Sequence, residues 1–360
     1  MQLNDIFYIR RAKLKRIMNK GDSAYIILNP VNIYYFTGFY AEGVDRLIAL
    51  ILTGTKDILL VPELHKQEAG AIKNIDVVSW DDSVDPWNIL KLQFARHYDS
   101  IGLEHNFPIF AYKMLFFDKN IELIDSEISQ LRSIKDKTEI ENIKKAIEIS
   151  EKSLKQSLPD ISENITERQF SHILDANMEE NGASGLAFPT IVSFGENAAN
   201  PHHMPDSTKL KKNQCVVIDF GSRYNMYCSD MTRTFVYGKP DDDFLNAYNT
   251  VKKAQKVGCE NASSAINGRD LDGIVREVIA KSGYGKYFIH RTGHGIGLDE
   301  HENPYVDFKN TELYLPGNTI TIEPGIYVPG KFGIRIEDIV LITDNKSINM
   351  NSLSHDLEVL

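Results

Sequence analysis

The chain has 360 residues, 42% of them hydrophobic and 25% charged, enough for one large core or two ordinary ones, and two domains are the expectation. A formal net charge of −10 with a pI near 5.5 argues against nucleic acid as the main partner, because phosphate binding needs a positive footprint. No window approaches the roughly 18 uninterrupted apolar residues of a membrane span, and Arg10, Arg11, Lys13, Lys15 and Arg16 stand where a signal peptide would be apolar, so a cytoplasmic protein without membrane contact is expected.

Leu3, Phe7, Leu14 and Met18 recur at near-helical spacing, and the basic run from Arg10 to Lys20 reads as the solvated face of that first helix. Short β-branched or aliphatic runs follow at residues 24–28, 47–52, 58–61, 76–80, 100–104 and 121–124, separated by helical stretches such as 87–97. This alternation predicts an α/β domain over residues 1–126. In the Lys/Glu-rich crossing that follows, Thr138 and Glu141 read as a capping box for a helix carrying Ile140, Ile143, Ile147, Leu154 and Leu158 on one face and ending at Pro159. A second box, Thr166 with Gln169, opens a helix that stops at Asn181-Gly182. Strands and hairpins then dominate, interrupted by helices near 244–265 and 270–282, which makes residues 127–360 an α+β domain. The three cysteines, Cys215, Cys228 and Cys259, lack CxxC spacing and read as small buried thiols.

Two segments end aliphatic strands on carboxylates. Burying such a group alone costs several kcal/mol. One strand runs through Cys215-Val-Val-Ile to Asp219, and a turn centred between Tyr224 and Asn225 would set Asp230 directly opposite. Further on, alternation puts Thr319, Thr321 and Glu323 on one face, and a turn centred on Gly330 would set Glu337 opposite Glu323. Facing like charges repel unless a cation compensates. Four carboxylates match two divalent cations, and a hard, carboxylate-rich set suits Mn²⁺, with Co²⁺, Fe²⁺ or Zn²⁺ as alternatives. The segment His290-Arg-Thr-Gly-His294-Gly-Ile-Gly reads as a metal loop, its glycines letting the backbone approach whatever His294 touches. Of His202 and His203, in a polar loop after an apparent strand, one is a candidate hydrogen-bond donor to an oxyanion.

The ordered series Asp219, Asp230, His294, Glu323 and Glu337, with GHGIGL, ITIEPGIY and GIRIED around the last three, closely resembles the M24 pita-bread metallopeptidases. A creatinase-like α/β domain ahead of the catalytic domain resembles the Xaa-Pro branch, prolidase and aminopeptidase P. The resemblance implies that Asp219 binds one metal, His294 and Glu323 the other, and that Asp230 and Glu337 bridge. It also implies a substrate-binding role for His202, seven residues after Gly195, and for His290, and a catalytic role for His301 in the H-E-x-P stretch. Arg335 would brace the carboxylates or reach the substrate. In some prolidases an arginine just after H-E-x-P holds the dipeptide's C-terminal carboxylate; Tyr305 occupies that position.

The expected activity is hydrolysis of the Xaa-Pro bond of a dipeptide, with aminopeptidase P action on longer peptides as the alternative. Glu323 would handle the proton, and His202 and His301 would stabilise the tetrahedral intermediate. A homodimer is expected from the family. A methionine aminopeptidase would not need the first 126 residues, creatinase works without metals, and a non-catalytic protein on this fold usually lacks ligands that are all present here.

Overall fold

The computed structural model describes residues 3–18, 23–41, 46–93 and 95–360. Lys20, at the end of the basic run, and Phe94, within the segment expected to be helical, lie outside the described residues, as does the side chain of Leu3. The chain divides into two compact units, Met1–Arg132 and Ser133–Leu360. Among the described residues no helix is long and apolar enough to cross a membrane.

The first unit is built on a six-stranded mixed sheet of β1 (Ser23–Ile27), β2 (Ala49–Thr53), β3 (Asp57–Pro62), β4 (Asp76–Trp80), β5 (Ser100–Leu103) and β6 (Asn120–Leu123), in the order β4-β3-β2-β1-β5-β6. The central strands β1, β2 and β3 are buried along their whole length, which explains why they read as continuous aliphatic runs. Helices α1 (Leu3–Ile17), α2 (Pro30–Thr37), α3 (Lys66–Ala69), α4 (Pro86–Gln93), α5 (Ile109–Leu115) and α6 (Asp125–Ser133) complete the order. The expected solvated basic face of α1 needs correction. Arg11 is fully buried, with Nε on Asp57 at 2.8 Å and Nη1 on the Phe36 carbonyl at 2.7 Å. Arg10 is nearly as buried, its guanidinium 4.2 Å from the Tyr35 ring centroid. These arginines are tolerated inside because their donors are matched by acceptors and an aromatic face.

In the second unit α7 (Lys137–Ser157) is capped two residues earlier than expected. Asp136, not Thr138, accepts from the Thr138 and Glu139 amides, and Glu139 returns the bond to the Asp136 amide. Aspartate is as good an N-cap as threonine, and the box simply starts at the first residue able to make it. The box of α8 (Glu167–Glu180) forms between Thr166 and Gln169 as expected. The strands are β7 (Gly185–Leu186), β8 (Ile191–Phe194), β9 (Gln214–Phe220), β10 (Ser222–Tyr224), β11 (Tyr227–Cys228), β12 (Met231–Tyr237), β13 (Gly293–Gly295), β14 (Glu302–Val306), β15 (Thr319–Ile322), β16 (Gly325–Val328), β17 (Phe332–Arg335), β18 (Asp338–Ile342) and β19 (Ser347–Asn349). They form small antiparallel sheets, β12-β9-β8, β11-β10-β7, β16-β17 and β14-β13-β15-β18-β19. Helices α9 (Asp242–Asn261) and α10 (Gly268–Lys281) pack with them; Val251, Ala254 and Val275 share a core with Ile326, Ile334 and Ile336.

Candidate functional site

Two long hairpins carry the acids, and each is interrupted where the acids sit. In the first, Asn225 and Met226 both take left-handed conformations, φ 47° and 70°, so the turn is centred one residue later than expected. Asp219 therefore faces Thr232, and Asp230 lies two residues before Thr232, just ahead of β12, offset from Asp219 rather than directly opposite. The break at Asp230 brings the strands so close that a Cβ on Gly221 would lie 2.0 Å from the Ser229 carbonyl oxygen. In the second hairpin the ladder Ile322↔Asp338 on one side of the gap and Gly325↔Arg335 on the other keep one register, which sets Glu323 across from Glu337. The hairpins are stitched together by Thr232, whose hydroxyl donates to Glu337 Oε2 at 2.6 Å and whose carbonyl accepts the Glu337 amide at 3.2 Å.

His294 enters from β13. The flanking glycines serve the sheet rather than a ligand: a Cβ on Gly293 would lie 1.9 Å from the Thr321 carbonyl oxygen. His294 Nδ1 bonds the Gly295 carbonyl at 3.1 Å, which leaves Nε2 free to face the acids, 3.3 Å from Glu323 Oε1 and 3.6 Å from Asp230 Oδ2. Asp230, His294 and Glu337 each offer a ligand atom within 4.8 Å of the others. Burial pushes the Asp230 carboxyl well above the usual range, with Glu337 adding repulsion. Glu337 is raised in the same way by burial and then by Glu323 and Asp219, and burial raises Glu323 to about 7. Burial also drives the His294 imidazole well below its ordinary value, so it is neutral and has a lone pair to offer.

This arrangement fits cations. Asp219 Oδ2 accepts Arg335 Nη2 at 2.6 Å, but Asp219 Oδ1 is buried without any hydrogen-bond partner. An orphaned carboxylate oxygen beside three further acids and a neutral imidazole is a donor set for divalent metal, not for an ion pair.

A cavity of about 510 Å³ opens over these residues. His202, His290 and His301 line it, and so does an apolar wall of Phe188, Pro189, Ile191, Pro201 and Met204. His301 stacks edge-on against His294 with ring centroids 4.1 Å apart and keeps 44% of its side chain exposed. His290 Nε2 accepts from the Tyr327 hydroxyl at 2.9 Å, and that hydroxyl accepts from Arg335 Nη1 at 2.8 Å. Burial holds His290 down to about 3, so it is neutral in this relay. Arg335, with Nε on Thr232 Oγ1 at 2.8 Å, spends its donors on the protein. His203 does not line the cavity; its Nε2 meets the buried Glu167 at 2.7 Å. Glu167 also accepts from the amides of Phe194 and Asp206 and from Asn197 Nδ2. That carboxylate ties down the loop carrying His202.

Sequence reasoning passed over Arg291, Glu300, Thr232 and Tyr327. Arg291, next to His290, and Glu300, next to His301, line the cavity, so polar residues beside the histidines were the available signal. Tyr327 ends the ITIEPGIY segment and Thr232 follows Asp230 by two residues, but their roles arise from contacts across the two hairpins.

Residues 141–344 match the model of metallopeptidase family M24, and residues 10–134 match the creatinase/prolidase N-terminal domain. An uncharacterized peptidase of Staphylococcus saprophyticus is 37% identical over 332 residues, covering 91% of this chain and 93% of its own. Among solved structures, a prolidase from Thermococcus sibiricus superposes with a TM-score of 0.92 at 36% identity, covering 100% of both chains. An X-Pro aminopeptidase from Thermotoga maritima superposes with a TM-score of 0.88 at 31% identity, covering 96% of this chain and 99% of its own.

Proposed function

The chain belongs to metallopeptidase family M24, and from that premise we propose that it is an Xaa-Pro dipeptidase, hydrolysing the bond before a C-terminal proline. The observation that carries this reading is the convergence of Asp219, Asp230, His294, Glu323 and Glu337 beneath one cavity with an apolar wall. Those five residues would hold two divalent cations, manganese in our reading. When bound, the cations make a water easier to deprotonate and polarise the scissile carbonyl.

The protein's own groups supply the rest. Glu323, whose carboxylate lines the cavity, is the group that takes a proton from the attacking water and returns it to the leaving nitrogen. His301 and His202 donate to the oxygen of the tetrahedral intermediate from the open side of the cavity. The imide nitrogen of proline has no hydrogen, so the S1′ wall needs no acceptor; Phe188, Pro189 and Met204 provide apolar contact instead. Arg335 keeps Asp219 in place and, through Tyr327, orients His290. A homodimer and a cytoplasmic location belong to the same proposal and are open to light scattering and fractionation.

The similarity to an X-Pro aminopeptidase favours a second reading, action on longer peptides. Comparing kcat/KM for Ala-Pro and Ala-Pro-Ala tests the two. The dipeptide is expected to win; a clear win for the tripeptide makes the protein an aminopeptidase P, and cleavage of Met-Ala-Ser ends the proline assignment.

A further inference from the structure

We propose that Arg291 is the specificity-determining cation of this enzyme, binding the free C-terminal carboxylate of the dipeptide in the place where Tyr305 leaves no charge. The inference rests on the dipeptidase reading above. Among the described residues lining the cavity, two carry a permanent positive charge, Arg291 and Arg335, against five carboxylates, Asp219, Asp230, Glu300, Glu323 and Glu337. With two cations offsetting four of these acids, a substrate carboxylate still needs a donor with free N–H groups to hold it in one place.

Arg335 cannot be that cation. Its Nε, Nη1 and Nη2 are committed to Thr232, Tyr327 and Asp219 at 2.6–2.8 Å. Arg291 is different. Among the described residues its guanidinium makes no hydrogen bond or salt bridge; it lies over the Tyr305 ring, Cζ 4.5 Å from the centroid, and its charge reaches Glu323. The aromatic face fixes the plane of the guanidinium and leaves its N–H edge available for a bidentate carboxylate.

The backbone below is also fixed. His290 Nδ1 bonds the Arg291 carbonyl at 2.7 Å, and Arg276, paired with Asp272, holds the carbonyls of Phe288 and His290 at 3.0 and 2.9 Å. Arg291 is three residues from His294; both line the cavity, and the Arg291 charge acts on His294, His301 and Glu323. In a dipeptide the carboxylate follows the scissile bond by a single residue, about 3.8 Å between Cα atoms. The tyrosine at position 305 thus acts as the platform on which the charge from position 291 is presented.

The test compares Ala-Pro with Ala-Pro amide, which has the same scissile bond and no terminal charge, in the metal-loaded full chain and its Arg291→Met and Arg291→Lys variants. The unaltered protein should prefer the free acid. In Arg291→Met the acid-to-amide ratio of kcat/KM should fall roughly 10- to 100-fold, as loss of a charged hydrogen bond predicts, mainly through KM. Arg291→Lys should recover part of the ratio, because it restores charge without the bidentate geometry. A second readout is inhibition by Ala-Pro of Ala-Pro-Ala hydrolysis, whose Ki should rise in Arg291→Met by a similar factor. An unaltered protein indifferent to the amide, or an acid-to-amide ratio and Ki unmoved in Arg291→Met, overturns the inference while leaving the dipeptidase reading intact. Failure of the unaltered protein to cleave Ala-Pro while it cleaves Ala-Pro-Ala overturns the dipeptidase reading, and the inhibition measurement then still decides whether Arg291 holds the carboxylate.

Discussion

At the scale of single residues the site is a problem in charge compensation. Asp230 and Glu337 are buried among other acids, and an ionised pair in that position is stable only with cations between them. Replacing either by its amide is expected to lose both metals, whereas His294→Ala should weaken mainly one site; metal content by plasma spectrometry reads the difference. Fully active protein with a single ion per chain would sink the dinuclear arrangement. The histidines separate by what they touch. His301→Ala should retain the metals and lower kcat by a factor on the order of 10², as removal of a transition-state hydrogen bond does. His202→Ala should cost kcat in the same way, while His203→Ala should show its effect in thermal stability, because its partner is Glu167. Equal kinetic damage from His202→Ala and His203→Ala would refute that division.

At the scale of elements, two hairpins with interrupted ladders carry the four acids proposed as ligands. The gaps at Asp230 and between Glu323 and Glu337 free these side chains from regular pairing while the continuing register holds them in place. The loop after β8 lacks such a scaffold and depends on one buried carboxylate. Glu167 accepts from Phe194, Asn197, His203 and Asp206, so Glu167→Gln replaces an acceptor with a donor pointing at donors. A loss of roughly 1–3 kcal/mol in unfolding free energy, with KM for Ala-Pro raised and metal content kept, is the expected result. Wild-type stability together with wild-type KM would show that the loop holds its shape without Glu167.

At the scale of the whole molecule, metal binding and folding are linked, because the ligands come from strands far apart in sequence, from Asp219 to Glu337. Metal at about 100 times its dissociation constant stabilises by ~2.7 kcal/mol, which for the Ser133–Leu360 unit corresponds to a melting temperature roughly 5–10 °C higher than in chelator. Calorimetry at fixed pH with and without EDTA reads this. Identical melting curves would mean that the acids are compensated by something other than metal.

Local signals determined much of this protein in advance. The aliphatic runs of the first sheet, the Thr166 box and the Gly330 turn are properties of a few adjacent residues, and burial or hydrogen bonding within one turn enforces them. The acids of the proposed ligand series stand out along the chain because an acid at the end of a buried strand is a local contradiction. What required the tertiary structure was whatever depends on a partner distant in sequence. Arg11 is buried because Asp57 and Phe36 receive its donors, and Asp219 faces Thr232 because Asn225 and Met226 adopt a left-handed turn. Arg291 lies over the Tyr305 ring, whereas Arg335 is committed to Asp219, Thr232 and Tyr327. A pattern read along the chain can say that a charge is present; which charges neutralise one another is decided by distance in space, since Coulomb energy and hydrogen-bond geometry act through separation and not through sequence.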